Sequence, residues 1–190
     1  MDLEFALLSA VLLVIAALAL AVLLKGIRVY KEHERGVRFR LGRFSKVMGP
    51  GIAFSFPLID STVLVDVRSR LIEIPELKAL TAENSSVFLD VAARYGISSP
   101  AKAVMKSTDP GASFRVAVET AVRSLAGELS FADLVKKREF INAKLRESVA
   151  LRAEELGITA EGVEITDVTP SERTLELMNK SMRAKRKKAK

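Results

Sequence analysis
Residues 130–170, SFADLVKKREFINAKLRESVALRAEELGITAEGVEITDVTP, carry a helix, its stop signal and a strand in direct succession. Phe131, Leu134, Ile141, Leu145, Val149 and Leu156 recur at intervals of three, four or seven, which predicts one long helix with a single apolar stripe. Lys136, Lys137, Glu139, Lys144 and Glu147 fall mostly off that stripe. Ser130 with Asp133 resembles a capping box in which the shorter acid stands in for glutamate. Gly157 suits the C′ position, where a left-handed residue ends a helix. Residues 158–168 then read as a closing strand, with Val163 and Ile165 facing one way. Thr169-Pro170-Ser171-Glu172 forms a second capping box with proline at the first helical position, which predicts a last short helix toward Lys180.

Upstream, Ser99-Pro100 and Asp109-Pro110 each place a capping residue before a proline at the first helical position. The second of these helices is expected to run to about Gly127. Val87, Leu89, Val91 and Ala93 alternate after the turn-like Glu83-Asn84-Ser85, and Val63, Val65 and Val67 alternate likewise, so both stretches read as strands. Residues 27–29 and 37–41 alternate apolar with basic residues, and Gly36 is placed as a turn between them. After the break at Gly49-Pro50-Gly51 comes IAFSFPLI, residues 52–59. Eight residues are too few to span a bilayer as a helix, so a buried strand and a loop dipping into the headgroup region both fit. The membrane reading makes Ile52, Phe54, Phe56 and Leu58 candidate interface residues. Strands first, then helices, one strand and a helix give an α+β class.

Residues 5–24, FALLSAVLLVIAALALAVLL, hold no charge, proline or glycine. At about 1.5 Å per residue they match the roughly 30 Å hydrocarbon core of a bilayer. A cleaved signal peptide would have a basic leader and a shorter apolar core, whereas Asp2 and Glu4 precede this one. Lys25, Arg28, Lys31, Arg35 and Arg38 follow the span and nothing basic precedes it, so the positive-inside rule puts the C-terminal part in the cytoplasm. The expected organisation is an extracytoplasmic terminus at 1–4, a transmembrane helix at 5–24, a domain at 25–169, and a short helix with a basic tail at 170–190. The expectation is a single-pass protein of the plasma membrane.

The formal charge of +7 is unevenly spread. Residues 25–46 carry a local +6 and residues 180–190 a local +7, leaving a mildly acidic body. Lys25, Arg28 and Lys31 beside the span, and Lys185, Arg186, Lys187 and Lys188 in the tail, are candidate contacts to lipid headgroups, each contributing about 1 kcal/mol near an anionic surface. A solvated tail is the plainer reading. Nucleic acid is a poorer partner, because the tail has no aromatic residue to stack on bases. Cysteine is absent, and one imidazole, His33, cannot complete a metal site without Cys or clustered carboxylates. No serine sits in a Gly-x-Ser-x-Gly elbow, and Gly49-Pro50-Gly51 lacks the Gly-Lys-Ser/Thr ending of a phosphate loop. The expectation is therefore a protein without catalytic, cofactor-binding or metal residues.

The order of Arg40-Leu41-Gly42-Arg43, Gly49-Pro50-Gly51, Pro57-Leu58-Ile59-Asp60 and Val65-Asp66-Val67-Arg68 resembles the stomatin/prohibitin/flotillin (SPFH, or band 7) superfamily, in its prokaryotic stomatin-like branch. Thr81, Asn84 and Val87, then Arg123-Ser124, Gly127, Arg138-Glu139, Ile141-Asn142, Gly157-Ile158 and residues 163–168 continue the series. The resemblance implies a ring- or cage-forming membrane scaffold that organises lipid microdomains and controls partners, often membrane proteases or channels. It also implies that residues 52–59 touch the membrane. Residues 5–24 lack the mid-segment proline of hairpin-inserted relatives, so a straight span is expected. The last helix lacks the long coiled coil of other relatives, so homo-oligomers are expected to rest on domain contacts and confinement in the membrane. A bitopic adaptor for one partner, without self-assembly, is the competing expectation.

Overall fold
The computed structural model describes residues 10, 12–17, 20–22, 25–172 and 174–175. They fall into two compact units, Met1–Val67 and Arg68–Lys190. Residues 10, 12–17, 20–22 and 25 are helical. The rest of the 5–24 stretch lies outside the described residues, and among those described no helix is long and apolar enough to cross a membrane.

The first unit is built of two small antiparallel sheets. β1 (Ile27–Tyr30) pairs with β4 (Gly51–Phe54) as a two-stranded ribbon, and β3 (Arg43–Met48), β2 (Glu34–Arg40) and β5 (Asp60–Asp66) form a second sheet in that order. Gly36 is not a turn. The reversal after β1 falls at Lys31–Glu34, where the Glu34 amide donates to the Lys31 carbonyl, and Gly36 lies inside β2. A Cβ on Gly36 would stand 2.7 Å from Cζ of Tyr30, so glycine is present because the tyrosine ring lies on the strand. Strand β3 carries few of the alternation signals that mark β5, since five of its six residues are exposed.

The second unit packs helices on a three-stranded sheet of order β6 (Arg70–Leu80), β7 (Ser86–Ile97), β8 (Ile158–Pro170). Val87, Leu89, Val91, Ala93 and Tyr95 of β7 all turn to one face, which the period of two dictates, and all are buried. Val163 and Ile165 join them from β8, as the alternation predicts. Sequence reading missed β6, because Pro75 interrupts it. The strand tolerates proline at a bulge on the sheet edge, where the ladder shifts between Ile74 and Leu77. Glu76 there has φ +51°, and its amide donates to Oδ1 of Asp90 at 2.8 Å.

The helices are α1 (Pro100–Lys106), α2 (Pro110–Glu128), α3 (Phe131–Lys136) and α4 (Arg138–Glu155). Asp109 caps α2 by accepting from the amides of Gly111 and Ala112, whereas Ser99 makes no side-chain cap on α1. The expected long helix from Ser130 is two helices, broken at Lys137 with φ −106° and ψ 37°, and α2 is the longest helix among the described residues. The stripe survives the break: Leu134, Ile141, Leu145 and Val149 are fully buried, with Phe131 and Leu156 partly so. Ser130 accepts from the Asp133 amide, and the short acid meets the serine hydroxyl at 2.8 Å. Gly157 holds φ +72° at the helix end, where a Cβ would lie 2.6 Å from the Ser99 carbonyl oxygen. At the last helix the cap moves from Thr169 to Ser171. Pro170 still belongs to β8 opposite Val87, and the Thr174 amide donates to the Ser171 hydroxyl. Continuation of that helix past residue 175 lies outside the described residues.

Candidate membrane interface
Register decides which way the short apolar run faces. Ile27 pairs with Phe54 and Val29 with Ile52, and directly paired residues share a face of an antiparallel ribbon. One face of β1–β4 therefore carries Ile27, Val29, Ile52 and Phe54. The other carries Tyr30, which is buried over Gly36. The apolar face is uncovered within the unit: Ile52 is 81% exposed and Val29 also stands open. Beyond β4, Leu58 is 86% exposed. Phe54 and Phe56 are exposed and pack on each other, with ring centroids 4.9 Å apart in a T-shaped contact.

The loop after Phe56 is locked by one carboxylate. Asp60 sits opposite Arg40 in the β2–β5 register. Its Oδ1 accepts from Arg40 Nε at 2.8 Å, and its Oδ2 from the same guanidinium at 3.2 Å and from the Phe56 amide at 3.0 Å. The Asp60 amide returns a bond to the Phe56 carbonyl at 2.8 Å. This pins the Pro57-Leu58-Ile59 turn so that its apolar side chains project. The hydrogen bonds from Arg40 hold the Asp60 carboxyl down at about 2 from an ordinary 3.8, against burial, with the Phe56 amide and the charges of Arg40 and Arg38 adding to the effect. A depressed folded-state pKa contributes stability that is complete above the unfolded value and disappears as pH falls through the folded one. Between about pH 4 and pH 2 the first unit is expected to loosen, and circular-dichroism melts of Asp60→Asn should show a flatter pH dependence across that window than wild type.

Sequence reading missed Leu41. Arg40 and Arg43 close a two-residue hairpin in which Leu41 has φ +50° and Gly42 φ +79°. Such loops favour Asn-Gly or Asp-Gly, because both central residues are left-handed. A leucine there costs about 1–2 kcal/mol in Cβ–carbonyl crowding. It regains nothing by packing, since it is 78% exposed. Its amide donates to the Ile59 carbonyl at 2.9 Å, which brings Leu41 beside the Leu58 turn. The legible signal was a leucine where turn chemistry asks for asparagine. Leu41→Asn is therefore expected to raise stability by about 0.5–1 kcal/mol while weakening attachment to vesicles. A melt and a flotation assay on the same sample check both signs.

Lys25, Arg28 and Lys31 are exposed, with Arg28 on the opposite ribbon face from Ile27 and Val29. Lys185, Arg186, Lys187 and Lys188 lie outside the described residues. Among the described residues no group of three or more His, Asp or Glu side chains could hold a metal ion. A groove between α2 and α4 is lined by Ser124, Leu125, Glu128, Lys144 and Ser148.

Residues 28–190 match the SPFH domain / Band 7 family. The chain belongs to that family. Its relatives include an uncharacterized protein of Methanocaldococcus jannaschii, 31% identical over 93% of this chain and 88% of its own length. A stomatin homolog of Pyrococcus horikoshii is 30% identical over 82% of this chain, and stomatin of Mus musculus 31% identical over 75%. The chain covers 58% of the Pyrococcus protein and 51% of the mouse one. The SPFH / Band 7 match takes in β1 to β8 apart from Ile27 itself, so the ribbon, the hairpin tip and the Asp60 lock all belong to the family domain.

Proposed function
We propose that this SPFH-domain chain is a non-enzymatic, stomatin-like membrane scaffold. Residues 5–24 cross the plasma membrane once and the family domain lies on the cytoplasmic side. The observation that carries the reading is the uncovered apolar surface of the first unit, made by Ile27, Val29, Ile52, Leu41 and Leu58 and bordered by Arg40 and Arg43. Its first residue follows the twenty-residue apolar stretch by three positions, so the anchor would hold this face at the bilayer surface. An apolar face edged by cations matches the boundary between acyl chains and headgroups. The scaffold self-associates in the membrane plane, organises lipids, and acts on a partner such as a membrane protease or channel. The basic flank of Lys25, Arg28 and Lys31, with nothing basic before the apolar stretch, supports an inner-side position for the family domain.

Assembly is assigned to contacts between family domains, assisted by confinement in two dimensions, which raises effective concentration without new contacts. Cross-linking in intact membranes should give a ladder of homo-oligomers. Residues 25–190 alone should be monomeric or weakly associated by light scattering. A single heterodimer in membranes would favour the one-partner adaptor. A stable large ring formed by the soluble fragment would overturn the role given to confinement.

A further inference from the structure
We infer that the outer face of the α2–α4 pair is a contact between two copies of this chain, related by a two-fold axis that passes near Ser148. The two helices lie side by side and run in opposite directions. Arg152 and Leu156, late in α4, share a hollow of about 470 Å³ with Ala112 and Val116, early in α2. Lys144 and Ser148 share a second hollow, of about 330 Å³, with Ser124 and Glu128, late in α2. The hollows follow one another along α2 because the residues that line them there are small, Ala112, Ala117, Ala121 and Ser124, with Ser148 opposite on α4. The core does not use this face, since Phe114, Val118, Ile141 and Val149 already bury the inner side of the two helices. Apolar side chains nevertheless stand open beside the hollows: Leu151 is 68% exposed and Val116 61%.

Charge and size both point to a second copy as the occupant. Arg152 stands at one end of the groove and Glu128 at the other, and both are exposed. Among the described residues neither side chain is in an ion pair. Arg152 lies level with Val116, and Glu128 is about 18 Å further along α2 at 1.5 Å per residue. A two-fold axis midway between them sets Arg152 of each copy against Glu128 of the other, and every such contact is made twice. Ser148 falls at that midpoint, where a small side chain lets the helices approach and Leu151 of one copy can enter the groove of the other. Lys144 and Glu147, one helical turn apart, offset each other's charge on the rim. From Ala112 to Glu128 the face is about 24 Å long and two helices wide, so it covers on the order of 500 Å² per copy. Standard stable interfaces cover about 800 Å² per partner. A contact of this size holds weakly in dilute solution and gains from confinement in a membrane. From the scaffold reading the inference takes only that copies meet in the membrane plane.

The chain has no cysteine, so an introduced thiol is unique. Mild oxidation of full-length Ser148→Cys in intact membranes is expected to give a disulfide-linked dimer, because a residue beside a two-fold axis meets its own copy. Arg152→Cys should give little, since its two copies would stand roughly 18 Å apart, beyond disulfide reach. Adding Glu128→Arg or Arg152→Glu to the Ser148→Cys chain sets like charges against each other and should cut the dimer about tenfold. Both reversals together re-create the pair with its signs exchanged and should restore the dimer. Equal oxidation of Ser148→Cys and Arg152→Cys, or no recovery in the double reversal, would overturn the contact. So would the absence of a Ser148→Cys dimer where an amine-reactive cross-linker still gives a ladder, a result that leaves the scaffold reading standing. No ladder and no disulfide dimer would overturn both.

Discussion

Changing Ile52 and Leu58 together to aspartate is expected to release residues 25–190 from vesicles without unfolding them. Burying an Ile or Leu side chain against an apolar phase contributes about 1.5–3 kcal/mol, so losing both should lower partitioning on the order of 100-fold or more. Introduced carboxylates add a desolvation penalty in the same direction. The two residues are 81% and 86% exposed, and surface substitutions of that kind usually change stability by no more than about 0.5 kcal/mol. Phe54 and Phe56 are poorer probes. Their rings pack on each other, and that of Phe54 lies on the backbone at Gly26, so aspartate there would mix unfolding with detachment. Vesicle flotation with a parallel melt separates the effects. Unchanged flotation with an unchanged melt would remove the apolar surface as the membrane contact.

Phe114→Ala should be the most damaging single change in the second unit. Phe114 is fully buried on α2, its ring centroid 4.8 Å from that of Tyr95 on β7, so it joins the helix layer to the sheet. Truncating a buried phenylalanine costs about 3–5 kcal/mol, through lost transfer energy and the cavity left behind. That is a large share of the roughly 5–15 kcal/mol that holds a domain folded. A loss of Tm of about 10 °C or more is expected by circular dichroism. Val116→Ala, two residues along the same helix but exposed, is the control and should change little. Equal effects at the two positions would mean that α2 does not pack on the sheet through this face.

Local signals carried much of the second unit. Asp109-Pro110, Ser130 with Asp133, and Gly157 end or begin helices through groups within a few residues of each other, so their chemistry is complete in a short window. The alternation of Val87 to Ala93 and the stripe from Leu134 to Val149 are readable for the same reason, because one buried face imposes its period on the sequence. The break at Lys137 was not readable, since the apolar spacing passes through it in phase. Nor was the cap at Ser171. Pro170 looks like a first helical residue until β8 is seen to extend to it opposite Val87.

The sequence by itself determined the α+β class, the family, the apolar stretch at 5–24, the basic flank behind it, and the helix ends at Asp109, Ser130 and Gly157. Each of these depends on composition or on neighbours close along the chain. Tertiary structure alone decided that residues 51–54 are a strand whose apolar face is left open, because that follows from pairing with β1 some twenty-four residues away. The same holds for Gly36, whose role appears only when Tyr30 lies over it, and for Asp60, whose partner Arg40 comes from another strand. Leu41 belongs with them: the alternation at 37–41 put it at the end of a strand, and both its place in a Leu-Gly hairpin and its exposure beside Leu58 required the fold. Which face of a short apolar strand is buried depends on long-range register, and an eight-residue run has no period of its own from which that register could be read.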